Sequence, residues 1–300
     1  TVTGRFSYSN PNLQQVPARD PEIGAAIRSL FIPEDNCEWG AFDYSQQEPR
    51  LVVHYAELMG LRGSEDAANA FREGDADFHQ VVADMAGIQR KQAKNINLGL
   101  FYSMGVKKLS ESLGLTLDEG KDLFAQYHER VPFVKALSER AIRRAATQGS
   151  IRTLLGRQCR FDKWEPSQFG TRKIMDHKTA YAEHGNAIKR AFTHKAMNRL
   201  IQGSAADMTK KAMQLLYEEG IIPHIQVHDE LDFSIESHAQ AVRIKEIMEH
   251  CVELQVPVKV DVDLGPNWGE AKDAAKVIKH AESVRGWTRG SESSYSKQAV

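Results

Sequence analysis

The sequence predicts an α+β fold, in which a discontinuous sheet domain is interrupted by a helical insertion. Three observations point there. An apolar stretch at 37–43 reads as a strand. Residues 61–150 are patterned almost entirely as helices. Strand signals then return at 225–235 and 256–263. An α/β chain would alternate strand and helix throughout.

Each element follows from local pattern. Residues 4–36 are loop-rich, punctuated by Pro11, Pro17, Pro21 and Pro33, and Asn10-Pro11 favours a turn. The strand at 37–43 ends on a carboxylate. Leu51, Val52, Tyr55, Leu58 and Met59 have helical spacing over 50–59, which stops at Gly60. Residues 61–150 carry acidic stretches near 65–77 and 117–122. Residues 151–161 read as a hairpin with Gly156-Arg157 at its turn, and 176–219 as one or two long helices. Ile225 and Val227 lead into a turn, and Leu231, Phe233 and Ile235 lead out of it, at the period of two of a half-buried strand. A helix is expected at 237–254 and a strand at 256–263. The polar, Ser-rich stretch at 286–300 is expected to be disordered. No internal repeat is present.

The chain has 300 residues, enough for one large domain or two modest ones. It is 26% charged and 41% apolar, as in ordinary globular enzymes. No apolar run approaches the ~20 residues that span a bilayer, so a membrane partner is not expected. The chain opens Thr1-Val2-Thr3-Gly4-Arg5, without Met or a signal peptide, and reads like the interior of a longer protein. Cys37, Cys159 and Cys251 suit neither a zinc site nor a disulfide framework; three reduced thiols in a cytoplasmic protein is the expectation. The net charge of −1 argues mildly against nucleic-acid binding. Its distribution argues the other way. No acid lies between Asp84 and Glu111, where Arg90, Lys91, Lys94, Lys107 and Lys108 stand. Residues 186–211 hold six Lys or Arg against the single acid Asp207.

Two carboxylates stand out. Asp43 closes the first strand and opens Asp43-Tyr44-Ser45-Gln46-Gln47-Glu48-Pro49-Arg50. Asp229 sits in Gln226-Val227-His228-Asp229-Glu230-Leu231, at the turn of the clearest hairpin. Carboxylates at a strand end and a hairpin tip are well placed for Mg²⁺, which takes one or two of them together with phosphates and water. Either Asp alone is more often a turn residue. A second group lies on one helix: Arg90, Lys94, Leu98 and Tyr102 recur every four residues on one face. Two cations, an apolar residue and a ring match a nucleoside triphosphate laid along a helix. Taken alone, this too is more often an amphipathic helix with a solvated basic end.

Together and in this order, the three segments resemble the three polymerase motifs of the family A (DNA polymerase I type) DNA polymerases: DYSQIELR, R-x3-K-x6/7-YG and QVHDEL. Thr3-Gly4-Arg5 and Pro11-Asn12-Leu13-Gln14 resemble the family's TGR and PNLQ. Gly74-Asp75 before Phe78-His79 is similar to its GKDIH, and Gly156-Arg157 to its GRR hairpin. Asn198-Arg199-Leu200-Ile201-Gln202-Gly203 with Ala205-Ala206-Asp207 resembles N-x3-QG-x-AAD. Gly265-Pro266-Asn267-Trp268 is most like phage members. The resemblance runs over residues 3–270.

The resemblance implies a right-hand polymerase fold with an antiparallel palm sheet and helical fingers. The palm is expected at 1–60 and 151–285, the fingers at 61–150 and a polar tail at 286–300. The family's thumb precedes the first motif and is not expected in this sequence. Asp43 and Asp229 would be the metal carboxylates, with the Tyr44 carbonyl; Glu230 would assist. The cofactor would be two Mg²⁺ ions, with Mn²⁺ able to substitute. Arg90, Lys94 and His79 would hold the triphosphate, with Lys94 also protonating pyrophosphate. Gln46, Leu98 and Tyr102 would contact the dNTP, Leu98 facing the sugar and Tyr102 the template base position. Glu48 would be the sugar gate. Arg5, Asn12, Gln14, Asn198, Gln202 and His228 would touch primer–template DNA. In the minor groove, A·T and T·A pairs offer acceptors in similar places, so such donors test pair shape and not sequence. The implied protein is a monomer, in the bacterial host cytoplasm if phage-encoded, acting in phage DNA replication.

This sequence departs from the family pattern at Gln47, Pro49, Leu98, Ser103 and His194. Proline is acceptable in a first helical turn. Three other readings compete. A single-subunit RNA polymerase would share the two Asp residues and the Lys–Tyr helix, but Glu48 and HDEL argue against it. A non-catalytic DNA-binding paralogue would have lost a ligand or a cation. A metal-dependent nuclease would not need the Arg90–Tyr102 helix.

Overall fold

A computed structural model describes residues 1–17, 20, 22–74, 77–101, 105–168 and 173–284. An extended segment with a 3₁₀ turn at Leu13–Gln15 leads to helix α1 (Ile23–Arg28). Strand β1 (Glu38–Tyr44) runs directly into α2 (Gln47–Leu58). Helices α3 (Ser64–Glu73), α4 (Phe78–Ala86), α5 (Arg90–Phe101), α6 (Val106–Leu113), α7 (Leu117–Arg130) and α8 (Pro132–Gln148) follow. Next come β2 (Ser150–Arg152), β3 (Gln158–Arg160), β4 (Trp164–Pro166), α9 (His177–His184), β5 (Ile188–Arg190) and the long α10 (Ala196–Glu218). The chain continues through β6 (Ile225–Val227), β7 (Glu230–Ile235), α11 (His238–His250), β8 (Val260–Gly265), β9 (Lys272–Asp273) and α12 (Ala275–Val284).

Sheet segments thus bracket a helical block, as the pattern predicts. β1 becomes the centre of a five-stranded antiparallel sheet of order β6-β7-β1-β8-β9. Its partners lie about two hundred positions away in the chain, so only the fold brings them together. Period-two alternation then sorts the side chains. Phe42, Tyr44, Leu231, Phe233, Val260 and Val262 fill one face and join the main core with residues of α2, α10 and α11. The Tyr44 hydroxyl ends among them, donating to the Met248 carbonyl at 3.0 Å. On the other face Trp39, Ala41, Ile225 and Trp268 form a smaller cluster under Leu13, Val16 and Phe31.

Local chemistry sets many helix ends. Asp77 caps α4, Thr116 and Glu119 form a capping box on α7, and left-handed glycines follow α4, α6 and α8. Gln47, polar where the related motif is apolar, is buried and reaches from α2 to the Ala205 carbonyl and Thr209 on α10, both at 3.4 Å. Pro49 sits in the first turn of α2.

Three expectations need correction. Residues 176–219 are not one or two long helices. α9 ends at Gly185, and residues 188–190 pair with β4 instead of continuing a helix. That pairing is a long-range contact, invisible to periodicity. The strand expected from 256 starts at Val260, and Pro257, which has no N–H for a ladder, precedes it. The loop at 4–36 contains the short α1. Asp75, Tyr102, Ser103, the Leu98 side chain and the 286–300 tail lie outside the described residues. Among the described residues no helix is long and apolar enough to cross a membrane.

Candidate active site

The sheet face opposite the main core carries acid at nearly every outward position near one end. Directly opposed residues of antiparallel strands point to the same face. Asp43 pairs with Glu230 on β7 and with Asp261 on β8. Two residues along, Ala41 pairs with Asp232 and with Asp263. Five carboxylates therefore surround one alanine. Asp229 stands at the head of the first row, its carbonyl accepting from the Tyr44 amide at 3.4 Å. A backbone carbonyl at Tyr44 lies at the same end, while its ring is locked in the core. His228, in the left-handed conformation (φ 56°), makes the tight turn that presents Asp229.

The electrostatics follow from this crowding. The Asp43 side chain still reaches solvent. Even so, the surrounding protein, and then Asp229, Glu230, Asp261 and Asp263, push its pKa up to about 8. Burial raises Asp229 as well, and Arg5 and His228 offset part of this. Glu230 is raised mainly by burial; its carboxylate accepts from the Trp268 indole at 3.2 Å. Asp232 is fully buried, and neither of its oxygens has a hydrogen-bond partner; burial and then Glu230 push it to about 9. The Trp39 N–H, nearby, is also out of hydrogen-bond geometry. A cavity of about 200 Å³ opens beside this face, between α1 and Glu230, Asp263 and Trp268. Among the described residues no three His, Cys, Asp or Glu side chains form a metal-holding group. A cation at the head of the face would rest on two carboxylates, a backbone carbonyl and substrate oxygens.

Within the described residues, the basic helix carries its two expected cations. Arg90 and Lys94 lie one turn apart on α5, both exposed. Arg90 bonds Asp77, its Nε at 2.8 Å, and so ties α5 to the start of α4. His79 on α4 faces the same helix. Asn97 donates to His79 Nδ1 at 3.0 Å, and the buried Tyr127 hydroxyl donates to the Asn97 oxygen. With Nδ1 accepting, the ring proton sits on Nε2, and burial first, then Lys94 and Arg90, keep the imidazole pKa low. His79 is thereby a neutral donor. Asn97 is a residue the sequence reading missed. Gln46, left-handed at φ 53°, accepts from the Phe78 amide at 2.7 Å and joins the β1–α2 turn to α4.

Of the residues expected at DNA, Arg5, Gln14 and His228 lie by the acidic face. Arg5 forms a 2.5 Å ion pair with Glu48, joining the expected minor-groove donor to the expected sugar gate. Gln14 donates to Gln226 at 3.3 Å, and Gln226 donates to the His228 carbonyl at 2.5 Å. Asn12 caps the 3₁₀ turn before Gln14. Asn198 and Gln202 share one face of α10, both half-buried. The hairpin of β2 and β3 holds this region together: Arg157 bonds Asp207 at 3.1 Å, the Thr3 carbonyl at 2.6 Å and the Gly203 carbonyl at 3.1 Å. Gly203 must lack a side chain, since a Cβ would meet Thr153 at 2.6 Å. His194 lies on an exposed 3₁₀ turn.

The reading also missed Asp232, Asp261 and Asp263. The signal for the last two was present, as acids alternating with valines in Val260-Asp261-Val262-Asp263.

The family model described as DNA polymerase family A matches residues 1–270. A DNA-directed DNA polymerase of Pseudomonas phage M6 is 37% identical over 89% of this chain and 43% of its own length. The thermostable DNA polymerase I of Thermus aquaticus is 34% identical over 91% of this chain and 32% of its own. A polymerase domain of Pol1 from M. smegmatis, solved in complex with DNA primer-template and dNTP, superposes with a TM-score of 0.71 at 29% identity, over 90% of this chain and 47% of that one. This chain thus spans less than half the length of these relatives. With the acidic sheet face and the basic helix in place, the match over nearly the whole chain shows that it belongs to the family A DNA polymerases.

Proposed function

We propose that this chain carries the nucleotidyl-transfer site of a template-directed DNA polymerase, in which a primer 3′-OH attacks the α-phosphate of a dNTP. The observation that carries the reading is the adjacency of Asp43 and Asp229, far apart in sequence, at the head of one acidic sheet face. Residues 1–60 and 151–285 serve as palm, and 61–150 as fingers. The partners are primer–template DNA and dNTPs, and the protein acts as a monomer, in phage DNA replication in the bacterial host cytoplasm.

The donor set fits Mg²⁺. Asp43, Asp229 and the Tyr44 carbonyl offer hard oxygens. The burial and like charge that raise Asp43 are relieved by a divalent cation. Two such ions, or Mn²⁺ in their place, would when bound supply positive charge at the attacking and leaving oxygens. The protein's own groups do the rest. Arg90, Lys94 and the His79 Nε2–H bind the triphosphate, and Lys94 is placed to protonate the leaving pyrophosphate. Glu230 stands beside Asp43 and adds to the negative field that selects the cation. Glu48 excludes a 2′-OH, and Gln46, Leu98 and Tyr102 complete the nucleotide pocket. Arg5, Asn12, Gln14, Asn198, Gln202 and His228 hold the DNA.

Primer extension tests this. Asp43→Asn and Asp229→Asn should each lower the rate by several orders of magnitude while primer–template affinity stays nearly unchanged. Extension near the unsubstituted rate by either variant sinks the assignment.

A further inference from the structure

Charge is unevenly distributed along this chain. Residues 140–199 contain fourteen Lys or Arg and four Asp or Glu, a local charge of +10 in a chain whose total is −1. The excess does not sit on one solvated helix. It is shared by α8, the β2–β3 hairpin, the β4–α9–β5 excursion and the start of α10, and the fold packs these side by side. Gly149 at the end of α8 lies against the Arg190 guanidinium of β5. Arg199 of α10 donates to the Arg160 carbonyl of β3 at 2.8 Å. Arg157, Lys173 and Lys189 are paired with Asp207, Glu183 and Glu165, but Arg140, Arg143, Arg144 and Lys178 face solvent, and cations gathered this way repel one another unless a polyanion lies across them.

The excursion adds a second feature. The Arg190 guanidinium lies 4.6 Å from the Trp164 ring centroid. His177 meets Trp164 edge-on at 4.7 Å, and Tyr181 lies nearly parallel to His177, with 6.1 Å between centroids and 19° between planes. His177 and Tyr181 are exposed, the latter by 52%. Rings interleaved with cations on an open surface are the features that hold unpaired nucleic acid, because bases stack on the rings while phosphates meet the charges. In a duplex the base faces are covered and the rings would have no partner.

We propose that this surface, formed by the exposed arginines of α8 and the His177–Tyr181 face of the excursion, docks the unpaired template strand. The strand's identity rests on the polymerase reading; the preference for unpaired DNA does not. The surface is continuous with the expected duplex contacts, since Arg199 follows Asn198 directly on α10 and its guanidinium lies 4.3 Å from the Phe161 ring centroid.

Fluorescence anisotropy of the 300-residue chain with primer–templates bearing an overhang of about two or about sixteen nucleotides tests this, the range that one single-strand module covers. The long overhang should bind roughly tenfold tighter at low salt, with a steeper salt dependence. Combined Arg143→Glu, Arg144→Glu and Lys178→Glu should abolish that difference, and His177→Ala with Tyr181→Ala should remove most of it. Variants that keep the native melting temperature and the full overhang preference overturn the proposal, as does equal affinity for blunt duplex. A photo-crosslinking thymidine analogue in the overhang of the unsubstituted complex needs no variant: crosslinks on α8 or within 177–190 support the surface, and crosslinks confined elsewhere overturn it. Extension of the short-overhang substrate reports on the polymerase reading separately, because these variants leave the acidic face untouched.

Discussion

The two faces of the central sheet are built from the same strands and serve opposite ends. On one, Phe42, Leu231, Phe233 and Val262 are buried within the main core. On the other, one residue along each strand, stand Asp43, Glu230, Asp232 and Asp263. The apolar face stabilises the fold by removing carbon surface from water. The acidic face opposes it: its carboxylates crowd together, and Asp232 is buried with no hydrogen-bond partner. A rigid apolar face makes such crowding tolerable, because it holds the strands in register while the opposite side stores repulsion.

Exchanging the roles of the two faces should give opposite phenotypes. The largest effect is on chemistry. Asp229→Ala should abolish primer extension yet melt at the same temperature as the unsubstituted protein or above it, by calorimetry at neutral pH without divalent metal. A lower melting temperature would mean that the acidic face helps the fold stand. Phe233→Ala should do the reverse, destabilising by about 3–5 kcal/mol in denaturant titration, as for other buried aromatics. Whatever fraction stays folded should extend primers at close to the normal rate.

A smaller effect concerns Glu48, which lies off the acidic face and is bonded to Arg5. Glu48→Ala should raise rNTP incorporation relative to dNTP in single-turnover assays, since the 2′-OH is what separates the two. An unchanged ratio places the gate elsewhere.

The smallest effect is a pH dependence. The Asp232 pKa is about 9 in the fold, against about 3.9 in an unfolded chain. The native state thus holds a proton that the unfolded state releases, so this site's contribution to stability falls as pH rises from about 4 towards 9. Asp232→Asn should be close to neutral at pH near 4 and increasingly stabilising as pH rises towards 8, because the variant has no proton to hold. Equal melting shifts at both pH values would show that Asp232 is not held protonated.

Much of the site was legible in advance because its chemistry is local. Asp43 ends a strand, Asp229 tips a hairpin, and Arg90 and Lys94 recur at helical spacing; each pattern survives without knowledge of neighbours. What escaped was relational. Asn97 looked like one more residue of a helix, and only its place between Tyr127 and His79 reveals that it orients a ring. Gln47 looked like a departure from its motif until α10 supplied partners for it. Strand β5 was read as helix because its partner β4 lies more than twenty residues away.

By itself, the sequence determined the alternation across β6 and β7, the order of sheet and helix, and the choice of Asp43 and Asp229 as candidates. Period two says which residues share a face, and caps and glycines say where a helix stops. Only the tertiary structure decided which strands are neighbours. It placed β8 beside β1 and so set Asp261 and Asp263 next to Asp43. It also closed the chain between Asp43 and Asp229, and brought Arg5 to Glu48. The physical reason is that strand pairing and core packing depend on contacts between distant segments. Their register is set by a whole buried face fitting at once, and no local pattern encodes that fit.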